Sequence, residues 1–399
     1  MALPSVGTTG EIFTTFLRLG TTSFGGPIAH LAYFRREFVE RRGWLDATQY
    51  AEMLALCQLL PGPASSQLGF LIGWVRGGWR GALAAFVGFT APSALLLFAL
   101  ARSTPRLDGA FGLALVHGLK LVAVSVVAHA VLRMAPALAP DGRRLVIAVT
   151  SGAIMWWAST ASAQLAVLVL AGALGALWCD AAPVGDDSHL AATVRPGTGR
   201  WALVAFVVML AAALLWPVRG DATLGALAAT FMRAGALVFG GGHVVLPLLE
   251  TTLVGQGWLT ADVFLAGYGA AQVVPGPLFS VSTYFGALTP TGITAAVGAL
   301  VATLAVFAPG FMLVLAVLPV WSRVRALPRA GAMLAGLNAA VVGLLAAAWV
   351  DPVVRSAVRS PVDVVIALVG IGLAWRLARS TLFIVVWCVG ATALVSSLR

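Results

Sequence analysis

The sequence predicts an all-α integral membrane protein with about 10–12 transmembrane helices in two homologous halves. Its composition is 60% hydrophobic and only 10% charged, whereas soluble domains carry about 25% charged residues. Apolar stretches long enough to cross a hydrocarbon core of about 30 Å recur along the chain. Two sets of motifs also occur twice, in the same order. This composition excludes a cytosolic enzyme, a secreted disulfide scaffold and a disordered regulator.

The positive charge is distributed as in membrane proteins. The formal net charge is +10, and all the basic residues are arginines except Lys120. Most arginines form short clusters between apolar stretches, as the positive-inside rule requires of cytoplasmic loops, so we expect a lipid bilayer and no nucleic acid as partner. Cys57, Cys179 and Cys388 are far apart, and the five histidines are scattered. We therefore expect no disulfide, no metal and no cofactor.

The apolar stretches and one polar break define the domain organisation. Predicted spans cover residues 12–32, 82–101, 111–131, 145–160, 163–179, 201–216, 224–249, 293–317, 332–350, 362–375 and 382–398. Two shorter stretches, 50–75 and 264–288, are interrupted by Pro-Gly-Pro. We expect an N-terminal repeat at 1–180, a polar linker at 181–200, and a C-terminal repeat at 201–399 preceded by one extra helix.

The two halves share their motifs. Phe-x-Arg-x-Gly-x3-Phe-Gly-Gly at 16–26 recurs at 231–241, and Gln-x2-Pro-Gly-Pro-x2-Ser at 58–66 recurs at 272–280. The offset drifts only from 214 to 218, as small loop insertions would produce. The loop after the first Phe-Gly-Gly motif carries four arginines, whereas its counterpart at 250–257 has no basic residue. This difference favours inverted halves. However, five spans plus the extra helix make an even number of crossings, which would not invert the second half.

The Pro-Gly-Pro segments predict broken helices inside the membrane. Proline lacks the amide donor and clashes with the preceding turn, so the break must face protein or a water-filled cavity. Clusters of like charge flank the first segment, which predicts a re-entrant helix–break–helix. The half-helix after each break then directs its positive end toward the membrane interior. Ser65, Ser66 and Ser280 lie in these first turns, and the paired breaks predict an anion site. The alternative is a structural kink.

The Phe-Gly-Gly motifs form a second pair of breaks, with Gly25, Gly26 and Pro27 in the first half and Gly240 and Gly241 in the second. Glycine allows an unwound segment or a close backbone approach. His30 and His243 follow these breaks. The alternative is tight helix packing through small residues.

Arg18 and Arg233 occupy equivalent positions, six residues before each Phe-Gly-Gly motif. A charge at membrane depth costs at least about 2.5–3.5 kcal/mol, so two such arginines imply a partner. Two guanidinium forks suit a doubly charged tetrahedral oxyanion. The alternative is that each side chain snorkels to an interface.

Lys120 is the only lysine, and Asn338, the only asparagine, occupies the equivalent position in the second half. A buried lysine can carry a proton or hold an anion, and His117 lies one turn earlier on the same face. Glu52 and Glu250 are further candidates for proton coupling. The alternative is a lysine near a helix end. Walker A, HExxH, GxSxG and CxxC motifs are absent, so we predict no enzymatic activity.

These motifs resemble the signatures of the chromate ion transporter family in its long-chain, two-domain form. FGGPIAHLAYFRREFVERRGWLD, followed by LALCQLLPGPASSQLGFLIGWVRGG, is similar to the family's N-terminal half. VFGGGHVVLPLLE, followed by AAQVVPGPLFSVSTYFGAL, is similar to its second half. The resemblance assigns the family's motif positions to Phe24, Gly25, Gly26, Pro27, His30, Gln58, Pro61, Gly62 and Pro63, and to Phe239, Gly240, Gly241, His243, Gln272, Pro275, Gly276 and Pro277.

The resemblance implies export of chromate across the bacterial inner membrane by a multi-pass secondary active transporter. The proton motive force would drive it, and chromate resistance would result. Sulfate is the structural analogue of chromate, which leaves a transporter of sulfate or another oxyanion as the alternative. A membrane receptor or scaffold that binds an oxyanion without moving it is the alternative from another class. The sequence also leaves room for a homodimer.

Overall fold

The computed structural model describes residues 7–24, 26–103, 110–158, 160–180, 196–239, 244–325, 327–376 and 382–397. Within these ranges the chain is helical and forms no strand, which confirms the all-α prediction. The helices are α1 (Thr9–Thr22), α2 (Gly26–Arg35), α3 (Ala47–Leu59), α4 (Ala64–Ser103), α5 (Ala110–Leu138), α6 (Gly142–Trp157), α7 (Ala161–Trp178), α8 (Pro196–Leu215), α9 (Leu224–Leu237), α10 (Val245–Leu253), α11 (Ala261–Ala271), α12 (Val281–Leu288), α13 (Ala295–Val317), α14 (Trp321–Arg325), α15 (Pro328–Ala348), α16 (Arg355–Ala357), α17 (Pro361–Arg376) and α18 (Leu382–Ser397).

The first predicted span, 12–32, is wrong as a single helix. α1 ends at Thr22, Ser23 is extended, and α2 begins at Gly26 with φ +77°. The chain then turns back, because Arg42, which follows α2, donates to Glu11 at the start of α1 at 3.2 Å. Residues 9–42 therefore form a helical hairpin whose two ends share one face of the molecule. The predicted span 224–249 is likewise divided, into α9 and α10.

The first Pro-Gly-Pro segment forms a second hairpin on the same face. Asp46 caps α3 by accepting from the backbone N–H of Gln49 at 2.8 Å. The Arg76 guanidinium lies 4.7 Å from the centre of the Trp44 ring, so the far end of the hairpin returns beside its start. This contact confirms the predicted re-entrant helix–break–helix. α4 then kinks at Gly77 and Gly78, and its second part continues to Ser103.

The second half repeats this architecture. In the first half, Gly73 and Gly81 bring the two parts of α4 together, so a Cβ on either would collide with the carbonyl oxygen of the other. Gly286 and Gly298 do the same for α12 and α13. These helix pairs therefore pack backbone to backbone, as small residues allow inside membranes.

The last two helices of each half pack against a helix of the other half. α15 of the second half packs along α6 and α7, while α5 of the first half packs along α17 and α18. Close glycine contacts mark the first exchange, at Gly152 with Gly343 and at Gly175 with Gly336. The halves are thus interlocked, and neither could move as an independent domain without separating these helices.

The hairpins resolve the conflict between the even number of predicted crossings and the inverted orientation of the second half. Since residues 9–42 and the α3–α4 hairpin start and end on one face, only the second part of α4, α5, α6 and α7 cross in the first half. Gly199 of α8 packs against Leu315 and Pro319 at the end of α13, so α8 runs antiparallel to α13 and adds a fifth crossing. An odd number inverts the second half, in agreement with the loop charges.

The outer surface is that of an integral membrane protein. Large apolar side chains are exposed along the described helices, including Leu95 at 69%, Leu177 at 79% and Val386 at 71%. Five helices are long and apolar enough to cross a membrane: Ala64–Ser103, Ala114–Leu138, Gly197–Leu215, Ala295–Val320 and Gly331–Ala357. α6, α7, α17 and α18 are shorter, and a bilayer accommodates such mismatch by local thinning.

Candidate functional site at the broken helices

The two halves meet through a reciprocal pair of backbone hydrogen bonds. Gly62, in the first Pro-Gly-Pro loop, donates its N–H to the carbonyl of Val238 at 2.7 Å. Gly276, in the second loop, donates to the carbonyl of Ser23 at 3.1 Å. Val238 and Ser23 are equivalent residues at the ends of α9 and α1. We call the contact at Gly62 the first junction and the contact at Gly276 the second junction. Their reciprocity is the signature of two-fold pseudo-symmetry.

Both central residues must be glycine. Gly62 has φ +129° and Gly276 has φ +106°, a region that side chains rarely tolerate. A Cβ on Gly62 would lie 2.6 Å from the Gln67 amide nitrogen, and one on Gly276 would lie 2.9 Å from the Ser93 hydroxyl. The glycines therefore provide both the turn and the close approach between the halves.

Helices begin directly after the breaks. α2 starts at Gly26 and α4 at Ala64 in the first half, while α10 starts at Val245 and a 3-10 turn at Leu278 leads into α12 in the second. Each start leaves backbone N–H groups without an intrahelical partner and carries a partial positive charge. Oriented amides of this kind are suited to an anion.

At the first junction, Gln67 connects the loop to the other half. Its Nε2 donates to the carbonyls of Pro61 at 2.9 Å and Gly310 at 3.1 Å. Pro63 lies against Gly310 as well. Ser65 and Ser66 are buried in the first turn of α4, and the Ser66 hydroxyl has no hydrogen-bond partner among the described residues.

At the second junction, hydroxyl groups take the place of the amide. Ser93 Oγ donates to the Thr90 carbonyl at 2.9 Å and lies 2.6 Å from the Ser280 hydroxyl across the junction. His30 Nε2 lies 3.3 Å from the Ser23 carbonyl, and its ring meets Phe89 edge to face. All of these polar residues are buried.

The structure places the two predicted arginines differently. Arg233 donates to the C-terminal end of α8, with Nε 2.7 Å from the Ala213 carbonyl and Nη2 2.8 Å from that of Trp216. These carbonyls have no intrahelical donor, so the guanidinium satisfies them. Arg18 is exposed on α1. An anion could recruit Arg233 only if it left α8.

The predicted proton-coupling residues are dispersed. Lys120 and His117 lie on α5 in contact with acidic side chains, Asp262 and Asp363. Glu52 is buried on α3, and Glu250 lines a small cavity with Asp351.

The remaining motif residues surround the junctions or fall outside the described ranges. Gln58 is exposed, Phe24 and Phe239 are half-buried, and Gln272 lies buried beside Tyr268. Pro275 and Pro277 flank Gly276, and Pro27 lies in the first turn of α2. Gly25, Gly240, Gly241 and His243 lie outside the described residues.

A charged cluster stabilises the face where the first-half hairpins end. Glu37 accepts from Arg42 Nε at 2.7 Å and from Arg41 Nη1 at 3.0 Å. Burial alone would raise the pKa of Glu37, but the hydrogen bonds and charges of Arg42 and Arg41 outweigh burial and lower it. The cluster thus ties the π-helical turn Arg36–Arg41, which continues α2, to the start of α1.

Several residues of the site escaped sequence reasoning. Ser23, Thr90 and Ser93 line the junctions, and Asp262, Arg359 and Asp363 contact the α5 pair or each other. Ser93 follows the repeated Ala-Pro pair at 91–92, which was the one available signal. Among the described residues, no group of three or more histidine, cysteine or acidic side chains could hold a metal ion.

Two interlocked, inverted repeats with broken helices meeting between them form an architecture that is found among membrane transporters. The chain belongs to the chromate transporter family, whose model matches residues 10–176 and 225–395. It is 30% identical over 370 residues to the chromate transport protein of Pseudomonas aeruginosa, covering 90% of this chain and 85% of that protein. It is 28% identical over 377 residues to the chromate transport protein of Cupriavidus metallidurans, covering 90% and 86%. No solved structure matches it.

Proposed function

We propose that this protein is a secondary active transporter that exports chromate across the bacterial inner membrane, driven by the proton motive force, and so confers chromate resistance. The observation that carries the proposal is the reciprocal pair of junctions, at Gly62 with Val238 and Gly276 with Ser23. Broken helices that meet between inverted repeats suit a site reached alternately from either side. The names of the relatives from Pseudomonas aeruginosa and Cupriavidus metallidurans support chromate as the substrate.

The proposed binding region comprises the two junctions and the motif residues around them. Chromate is a doubly charged tetrahedral oxyanion, and the free amides at the helix starts can donate hydrogen bonds to it. Arg18 and Arg233 stay proposed contacts in a conformation where Arg233 has left α8. Sulfate has the same charge and shape, so it is the second candidate substrate. The repeats 1–180 and 201–399 would act together as one transport unit, singly or in a homodimer, because their exchanged helices hold them together.

The test is uptake of radiolabelled chromate into inverted membrane vesicles energised by a proton gradient. We expect uptake that an uncoupler abolishes and that excess sulfate reduces. Uptake in right-side-out vesicles instead would reverse the proposed direction. Absence of uptake in vesicles that contain folded protein would remove chromate as the substrate.

The broken helix has its own test. Replacing Pro61 and Pro63 together with alanine should straighten the break, because alanine restores the missing amide donors and favours helix. We expect weaker chromate binding in this variant, measured on purified protein. Unchanged binding would show that the break is only a structural kink.

A further inference from the structure

The two junctions are equivalent in backbone but carry different polar side chains, with Gln67, Ser65 and Ser66 at the first. Repeat alignment pairs Ser23 with Val238, His30 with Val245, Thr90 with Phe307 and Ser93 with Gly310. The second junction, around Gly276, therefore collects hydroxyl and imidazole groups where the first junction, around Gly62, has apolar side chains or none. Both junctions carry a hydroxyl at one equivalent position, Ser66 at the first junction and Ser280 at the second.

Three buried polar atoms at the second junction have no hydrogen-bond partner among the described residues. They are Ser23 Oγ, Thr90 Oγ1 and His30 Nδ1, and their residues are between 0% and 3% exposed. A buried polar atom without a hydrogen-bond partner costs the full free energy of its desolvation. Native proteins therefore keep such atoms where a ligand or water satisfies them.

These groups share one small region. The Ser23 carbonyl accepts from Gly276 and lies 3.3 Å from His30 Nε2. The His30 ring packs against Phe89, the residue before Thr90, and the Thr90 carbonyl accepts from Ser93. The start of α2 at Gly26 lies three residues beyond Ser23 and adds its free amides.

We propose that the protein has one anion site, not two, and that it lies at the second junction, where Ser23, Thr90, Ser93 and Ser280 donate to a fully deprotonated tetrahedral dianion and His30, whose Nε2 donates to the Ser23 carbonyl, lines the site. This inference rests on the proposed function. Neutral donors and helix amides hold the anion there, as in other dry anion sites, and no buried arginine is needed. The first junction keeps the backbone contact between the halves without binding the anion.

The Ser93–Ser280 hydrogen bond closes the second junction in this conformation. An entering dianion replaces it: Ser280 turns its proton from Ser93 to an oxyanion oxygen, and Ser93 donates to the anion when it releases the Thr90 carbonyl. The Gly276–Ser23 bond must lengthen in the same step.

The experiment measures chromate and sulfate affinity of the purified full-length protein by intrinsic tryptophan fluorescence, with thermal stability as a second readout. We expect Thr90→Val and Ser23→Ala each to raise Kd about tenfold or more, since each removes a hydrogen bond to a charged ligand. The same changes should leave the ligand-free protein as stable or more stable, since each removes an unsatisfied buried group.

A matched control separates a ligand contact from a structural one. Ser282 is equally buried, but its hydroxyl already donates to the Phe279 carbonyl at 2.8 Å, so Ser282→Ala should lower the unfolding temperature and leave Kd unchanged. Ser66→Ala compares the two junctions directly, since a single site at the second junction predicts a smaller rise in Kd than in Thr90→Val.

Each outcome decides one question. If wild-type protein binds neither anion, the proposed function fails. If it binds them and Thr90→Val and Ser23→Ala leave Kd unchanged, the function stands and the second-junction site is wrong. A loss of affinity in Ser66→Ala as large as in Thr90→Val would establish two equivalent sites.

Discussion

Lys120 Nζ donates to Asp262 Oδ1 at 2.6 Å, which joins α5 of the first half to the re-entrant α11 of the second. The lysine side chain is 1% exposed, whereas that of Asp262 is 48% exposed. Arg359 adds a contact to the other carboxylate oxygen at 3.0 Å. The charge of the buried Lys120 is therefore balanced by the Asp262 carboxylate, which is itself accessible to water.

This ion pair has no equivalent in the other half. Repeat alignment pairs Lys120 with Asn338 and Asp262 with Thr48, and neither counterpart is charged. The start of α11 is thus held to α5 by charges, whereas the equivalent contact in the other half has none.

The two partners should respond unequally to substitution. Asp262→Asn leaves a buried ammonium without its carboxylate, whereas Lys120→Met leaves Asp262 with Arg359 and solvent. We expect Asp262→Asn to lower the unfolding temperature more than Lys120→Met. The double variant should be more stable than the sum of the single effects indicates, with a coupling of about 1 kcal/mol or more. Strict additivity would show that the two groups do not interact in the folded protein.

Proton coupling by this region is tested by the pH profile of transport. His117 Nε2 lies 2.8 Å from Asp363, one turn from Lys120, and Asp363 also accepts from the backbone N–H of Ser360 at 2.8 Å. We expect Lys120→Met and His117→Gln to flatten the dependence of chromate uptake on pH. Asp221→Asn is the control, since Asp221 is exposed and forms no ion pair among the described residues. Wild-type profiles in both variants would remove this pair from proton coupling.

Arg233 should matter first for stability. Its guanidinium satisfies carbonyls at the end of α8, so Arg233→Ala leaves them without a donor. We expect a loss of about 1–3 kcal/mol in unfolding free energy. Arg18→Ala, at the equivalent but exposed position, should cost much less. Measuring chromate affinity in the same preparations separates this role from substrate binding, because weaker binding in both variants would support the predicted pair of arginines.

Acid should weaken the face that carries Glu37. Its pKa is lowered in the folded protein by Arg42 and Arg41, so the stabilisation is complete above the ordinary carboxyl pKa and is lost as the pH falls through the lowered value. We expect wild type to exceed Glu37→Gln in unfolding temperature at pH 7. The difference should shrink between about pH 5 and pH 3. A difference that stays constant across this range would exclude ionised Glu37 as its source.

Gly20 is required for the contact between α1 and α4. A Cβ there would lie 2.6 Å from the Phe89 carbonyl oxygen, so Gly20→Ala must push the helices apart. We expect a loss of about 1–3 kcal/mol and weaker chromate binding at the adjacent second junction. Gly10→Ala on the same helix has open space around it and should be neutral. Equal effects of the two changes would show that helix propensity, not contact, is being measured.

The repeats and the Pro-Gly-Pro breaks could be predicted because they depend on local chemistry. Proline ends a helix wherever it stands, and a repeated motif survives small insertions. The reversal of the chain after Ser23 could not be predicted in the same way. It depends on Arg42 reaching Glu11, a contact between residues 31 positions apart, and the apolar run at 12–32 is long enough for a span.

The candidate site, like the fold, could be predicted only in part. Motif residues such as Gly62 and Gly276 were identified because both halves repeat them. Ser23, Thr90 and Ser93 were missed because the other half carries valine, phenylalanine and glycine at those positions. A search for equivalence between repeats finds the shared scaffold and overlooks what distinguishes one half from the other, which is where a single ligand would bind.

α8 determines how such a chain can be inserted during synthesis. Each repeat has an even number of crossings, so two repeats joined directly would emerge in the same orientation and could not face each other. One helix between them, most of it exposed to lipid, is sufficient to reverse the second copy. The arginine-rich segment at 35–42 and the segment at 250–257, which has no basic residue, then favour the same orientation that the extra crossing of α8 imposes. Deleting α8 would therefore set the charges of these segments against the order of the chain, and each Pro-Gly-Pro loop would no longer reach its partner in the other half.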